Sequence, residues 1–228
     1  MSTPTVAGWT FVPTAEAAFL AGVSDRDMNR VIDEHLLSEP FVRTDGGRYF
    51  TRVAAALARF YFSAEDVYVA SLRLRVLVEL SARLAAAKHE VAVFNLELRP
   101  EDFDWRVELT ASSMSVLVDA SAAVRASIEK VRQVREARAL VSTDPEVMGG
   151  AAVFAGTRVP IENIAASLAK GVDKQRLVES WPFLTDKHFE AAEVYVRVHP
   201  RRGRPRQLSE LNPDWKVISS AVVRRARA

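Results

Sequence analysis

Between residues 22 and 51 the chain is punctuated so closely that few folds can carry it. Gly22 ends one apolar helical segment, Ala15 to Ala21, for which Thr14 is the expected cap. Ser24 then opens a second, with Asp27 three residues on in capping-box position. Met28, Val31, Ile32 and Leu36 recur at helical spacing and predict its buried face. Its other face carries Arg26, Asn29, Arg30 and Asp33. Two short apolar runs, Phe41-Val42-Arg43-Thr44 and Arg48-Tyr49-Phe50, flank Asp45-Gly46-Gly47. Asp-Gly and Gly-Gly supply the positive φ angles of a tight hairpin turn. Thr51 is the expected cap of a further helix reaching about Phe60. Two helices across a tight turn, then a hairpin, predict a winged helix-turn-helix over residues 1–63.

Residues 64–140 predict a helix and β-meander section. A helix is expected from Ser63 towards Ala87, with Val69, Leu72, Val76, Leu80 and Leu84 on one face. The run Leu72-Arg73-Leu74-Arg75-Val76 also fits a strand, so both readings stand. Three alternating segments follow, around Phe94/Leu96/Leu98, Trp105/Val107/Leu109 and Met114/Val116/Val118, and predict a three-stranded meander. Ser121 to about Ala139 predicts a charged helix with a narrow stripe of Val124, Ile128, Val131 and Val134. Such a stripe packs on one partner, either the meander or a second subunit of a homodimer.

Residues 141–199 predict two short strands around Gly149-Gly150 and three helices. Pro160 opens the first helix, Asp173 caps the second, and Thr185 caps the third. The fold class expected of the whole is α+β, mostly helical, with a basic tail at residues 200–228.

Charge is distributed unevenly. The chain's net charge is +2, yet residues 201–228 carry +6, so residues 1–200 sum to −4. A basic tail on an acidic body implies an acidic partner for the tail, and any DNA contact on the body must come from a local patch. Pro200-Arg201-Arg202-Gly203-Arg204-Pro205-Arg206 is no helix. Arg202-Gly203-Arg204-Pro205 resembles the minor-groove AT-hook core. The same arginines also suit an acidic protein site, where each guanidinium forks onto a carboxylate. Trp215 and its apolar neighbours would give a second anchor.

No cysteine occurs, which excludes a disulfide framework, cysteine zinc sites and a thiol nucleophile. Residues 1–9 show no secretory leader, and no apolar run approaches the roughly 18 residues of a membrane span. A cytoplasmic protein without membrane contact is the expectation. His35, His89, His188 and His199 are scattered, and no phosphate loop or nucleophile elbow is present. Asp186, Glu190 and Glu193 share a helical face and leave a metal-dependent nucleic-acid enzyme as one alternative. The expectation is a protein with no catalytic residues, metal or cofactor.

A family resemblance enters at the third segment. Asp144-Pro145-Glu146-Val147, Gly149-Gly150, Gly156-Thr157-Arg158-Val159-Pro160, Ala169-Lys170-Gly171, Trp181-Pro182 and Leu184-Thr185 resemble the small antitoxin-associated domain of unknown function 433. That family usually has Pro soon after the Gly-Gly, where this chain has Ala151-Ala152. The layout of the chain resembles a VapB-type antitoxin of mycobacterial kind, with a winged DNA-binding unit before this domain. The resemblance implies a PIN-type ribonuclease toxin as partner, with metal-binding carboxylates that the antitoxin tail blocks.

On these readings the DNA-binding residues are Arg26, Asn29, Arg30, Arg43 and Arg48. The toxin-binding residues are Arg201, Arg202, Arg204, Arg206 and Trp215. Operator DNA and a cognate toxin are the partners. A stand-alone transcription regulator whose tail only anchors DNA is the other reading. The last three-helix unit, with Lys187, His188, Glu190 and Glu193 on its third helix, is a second candidate DNA reader. Arg158 is expected to bond carbonyls across its turn.

Overall fold

The computed structural model describes residues 5–6, 8–87, 90–111 and 113–200. Strands β1 (Thr5–Val6) and β2 (Trp9–Pro13) lead directly into helix α1 (Thr14–Ala21). Pro13 still pairs with Tyr49 in the sheet, so the helix begins one residue earlier than expected. Pro13, not Thr14, holds the N-cap geometry, without a side-chain bond. Gly22 ends α1 at φ 68°. Arg59 Nη1 donates to the Ala21 carbonyl at 3.3 Å, which satisfies an orphan acceptor of the helix end.

Helix α2 (Asp25–Asp33) starts as expected, with Ser24 Oγ accepting from the Asp27 amide at 3.1 Å. Met28 and Val31 are buried beneath it. Leu36 is buried too, but past the helix, because the backbone turns at His35 with φ 52°. Strands β3 (Val42–Arg43) and β4 (Tyr49–Thr51) form the expected hairpin, and the sheet order is β1-β2-β4-β3, all antiparallel. Helix α3 (Arg52–Ser63) is capped by Thr51, whose Oγ1 accepts from the Ala54 amide at 3.2 Å. Residues 53–58 of α3 are all buried, so it is the central helix of the first core.

Ser63 closes α3 rather than opening the next helix. Helix α4 (Ala70–Ala85) contains the stretch that also fitted a strand. Val76, Leu77, Leu80 and Leu84 are its buried face, while Val69 stands exposed ahead of it. The first strand of the expected meander is absent. Its place is taken by the short helix α5 (Glu90–Phe94) and a turn at Leu96, φ 52°. Phe94 stacks on Trp9 with ring centroids 4.3 Å apart. Asn95 Oδ1 accepts from the Thr10 amide at 2.7 Å, and its amide nitrogen donates to the Gly8 carbonyl at 3.1 Å. These contacts bind the segment side-on to β2, so its apolar alternation belongs to a turn rather than a strand. Only β5 (Arg106–Ala111) and β6 (Met114–Asp119) pair, as a hairpin with Val107 and Val118 facing the core.

Helix α6 (Ser121–Ala139) has the expected bounds. Val124, Val131 and Val134 are buried in the first core, with Ile128 packed against it. The stripe is thus buried in the chain's own core, where α6 packs against α9 (described below), α3 and α1, which corrects its reading as a seam for a second subunit. Beyond it, β7 (Val141–Ser142) pairs with β8 (Val153–Phe154). Helices α7 (Ile161–Ala169), α8 (Lys174–Ser180) and α9 (Asp186–Val198) follow. Phe154, Ile161, Ile164, Leu177, Leu184, Phe189 and Ala192 form a second core. Helix α9 joins the two, because Phe189 and Ala192 lie in the second while Val198 lies in the first. The architecture is α+β and mostly helical. No helix among the described residues is long and apolar enough to cross a membrane.

Candidate nucleic-acid interface

Burial of Met28 and Val31 fixes which side of α2 meets solvent. Arg26 is exposed there, and Asn29 and Arg30 are half-buried. Arg30 Nε donates to Glu34 Oε1 at 2.6 Å, and Nη1 donates to Asp27 Oδ1 at 3.3 Å. Its guanidinium also lies 5.1 Å from the centroid of the Phe62 ring. The bond to Glu34 raises the guanidinium's pKa above the usual value. The Ser24 hydroxyl, 2.6 Å from Asp27 Oδ2, lowers that carboxyl's pKa, and Arg30 adds to the effect.

The hairpin is tied to this face by one side chain. Arg48 Nη2 donates to Asp33 Oδ1 at 2.7 Å and Nη1 to Asp33 Oδ2 at 3.0 Å, a bidentate fork. Nη1 also donates to the Asn29 carbonyl at 3.3 Å. Arg26, Asn29, Arg30 and Arg48 therefore belong to one clamped surface. Arg43 is placed otherwise, with its guanidinium over the Phe11 ring at 4.4 Å.

Charge on this surface is slightly negative. Four carboxylates, Asp25, Asp27, Asp33 and Glu34, oppose three guanidiniums, Arg26, Arg30 and Arg48. A surface of this charge offers DNA no bulk attraction, so any contact with it would need individual side chains to exchange partners. Each pair is solvent-exposed and contributes about 0–1 kcal/mol, little enough for a phosphate or a guanine edge to replace the carboxylate. The partner carboxylates were not among the expected site residues. Those of Arg30 are legible from three- and four-residue spacing on a helix. That of Arg48 lies 15 residues away and needs the fold.

On the second candidate reader, Lys187, Glu190 and Glu193 of α9 line a groove of about 660 Å³ shared with Lys130, Arg132, Glu136 and Arg197. His188 is occupied structurally, with Nδ1 bonded to the Thr185 amide at 3.2 Å and its ring edge-on to Phe154. Asp186 pairs with Lys174 at 3.6 Å. No group of three or more potential metal ligands occurs among the described residues. Arg158 is exposed, and Thr157 makes the bonds across its turn, donating to the Phe154 carbonyl at 2.9 Å and accepting from the Val159 amide at 3.1 Å. Arg201, Arg202, Arg204, Arg206 and Trp215 lie outside the described residues.

Residues 141–196 match the family described as "Protein of unknown function (DUF433)". Over 213 residues the chain is 35% identical to "Uncharacterized protein y4eO" of Sinorhizobium fredii, covering 93% of this chain and 92% of that relative. No solved structure matches.

Proposed function

Starting from the fact that the chain belongs to the family of the rhizobial y4eO protein and carries the DUF433 segment, we propose that it is a non-catalytic antitoxin-repressor. It binds operator DNA with α2 and the β3–β4 hairpin, and it neutralises a PIN-type ribonuclease in the cytoplasm.

The clamped surface carries the DNA half of this reading. Two helices meeting at Gly22, followed by a hairpin fixed to the second through Arg48 and Asp33, support reading this unit as a winged helix-turn-helix. Helix α2 presents Arg26, Asn29 and Arg30 towards base edges, and Arg48 reaches phosphates. The toxin half rests on the antitoxin association that the sequence resemblance implies for the DUF433 segment, residues 141–196, and on the +6 charge of residues 201–228. Arginines there match a carboxylate cluster by forming forked bonds.

Two assays on one protein test the halves separately. In a mobility assay on the chain's own promoter, Arg30→Ala lowers affinity for the specific site by about 1–3 kcal/mol. Arg48→Ala weakens every sequence alike and flattens the salt dependence. Parent-like binding by both variants removes the DNA reading. In a ribonuclease assay with the toxin encoded beside it, deletion of residues 201–228 abolishes inhibition while operator binding changes little. Full inhibition by the shortened chain removes the tail from the toxin site. A collapse of DNA binding in its place makes those arginines a minor-groove anchor.

A further inference from the structure

Four of the eight strongly exposed large apolar side chains among the described residues fall between residues 67 and 78. They are Val67 at 73% exposure, Val69 at 71%, Leu74 at 39% and Val78 at 63%. Apolar side chains scattered singly over a surface are ordinary, but a run of them marks a contact. Leu74 and Val78 are one turn apart on α4. Ser71 lies a turn before them and Ala82 a turn after, both exposed. Together they form a stripe on the side of α4 away from Val76, Leu80 and Leu84. The helix thus has two apolar faces, and the chain's own core covers one.

The border of the stripe identifies what covers the other. Arg75 and Glu79 stand one turn apart along one edge, both exposed. An edge bearing one charge of each sign at that spacing is complementary to itself reversed. A two-fold axis midway between them sets Arg75 of each copy against Glu79 of the other. In the same register Leu74 enters the gap between Val78 and Ala82 of the second copy, large against small. The opposite edge carries Ala70, which is small and exposed and allows close approach. Glu79 is at present held by Arg83, Nε to Oε1 3.0 Å, an exposed pair that a second cation can share.

We propose that α4 is a homodimer interface, in which two copies of this chain pack antiparallel through Ser71, Leu74, Val78 and Ala82 and are bordered by two Arg75–Glu79 pairs. The interface also serves the operator-binding reading, since paired half-sites call for paired readers. It does not depend on that reading, because mass is measured without DNA.

The test is light scattering behind size exclusion on the full chain. The parent elutes at about twice the 25.3 kDa chain mass. Val78→Glu elutes as a monomer, with an unchanged circular dichroism spectrum, because the position is exposed. Ala82→Glu is the second variant should the first fail to fold. Arg75→Glu sets like charges against each other and raises the dissociation constant on the order of tenfold. Adding Glu79→Arg to the same chain restores parent affinity. A monomeric parent at micromolar concentration overturns the proposal, as does a folded Val78→Glu dimer. A charge-swapped double variant no tighter than the single one overturns the antiparallel register.

Discussion

Asp33 accepts both bonds of the Arg48 fork, and its side chain is otherwise open to solvent. Neutralising it leaves Arg48 beside α2 with no carboxylate partner and only its bond to the Asn29 carbonyl. Asp33→Asn is therefore expected to tighten binding to DNA of any sequence and to narrow the gap between specific and non-specific affinity. Fluorescence anisotropy with an operator duplex and a scrambled duplex, each at two salt concentrations, checks this. Equal tightening at low and high salt would count against a phosphate contact. His199 supplies a second residue-scale test. It stacks on Tyr195 with centroids 4.3 Å apart, and partial burial there holds its imidazole pKa below the usual 6.5. The bond to the Tyr195 carbonyl opposes that shift, Arg138 adds to it, and Glu16 opposes it. The unfolded chain then takes up a proton that the folded chain resists, so stability present above the unfolded pKa is lost as pH falls below it. The melting temperature should drop between about pH 7.5 and pH 5.5, and His199→Gln should flatten that slope.

Among the elements, α1 depends most on a single backbone conformation. Gly22 sits at φ 68°, and a Cβ placed there would come 2.6 Å from Arg59 Nη1. Arg59 can swing aside only by giving up its bond to the Ala21 carbonyl. Gly22→Ala should cost about 1–2 kcal/mol from the left-handed backbone alone, and urea unfolding followed by dichroism measures it. Elements announced by local chemistry were legible in the sequence. Ser24, Thr51 and Asp173 cap the helices expected of them, and the Asp45-Gly46-Gly47 turn makes its hairpin. Elements decided by distant partners were not. Phe94 and Asn95 alternate like a strand, yet Trp9 and the Gly8 and Thr10 backbone draw them into a helix and turn. The stripe on α6 reads as a seam for a partner because its partners, α9, α3 and α1, lie far off in sequence. At the candidate site the cations were legible, whereas the Arg48–Asp33 clamp and the rings beneath Arg30 and Arg43 were not.

At the scale of the molecule, two apolar cores share one helix. Helix α9 gives Phe189 and Ala192 to the second core and Val198 to the first, and Lys130 and Arg197 both lie over the Phe19 ring where α6, α9 and α1 meet. Glu16 of α1 is almost fully buried and is bonded to Arg138 of α6. Phe154, at the centre of the second core, is 1% exposed. Phe154→Ala should cost about 3–5 kcal/mol, as large aromatic deletions in close-packed cores do. If the second core stood alone, that loss would melt it early and leave residues 9–140 folded.

A shared helix changes that outcome. It cannot melt for one core and stay folded for the other, so neither core can unfold first without stripping side chains from its neighbour. Cooperativity is therefore built into α9, and heating should give one calorimetric peak whose van 't Hoff and calorimetric enthalpies agree. Phe154→Ala should move that peak down as a whole, without splitting it.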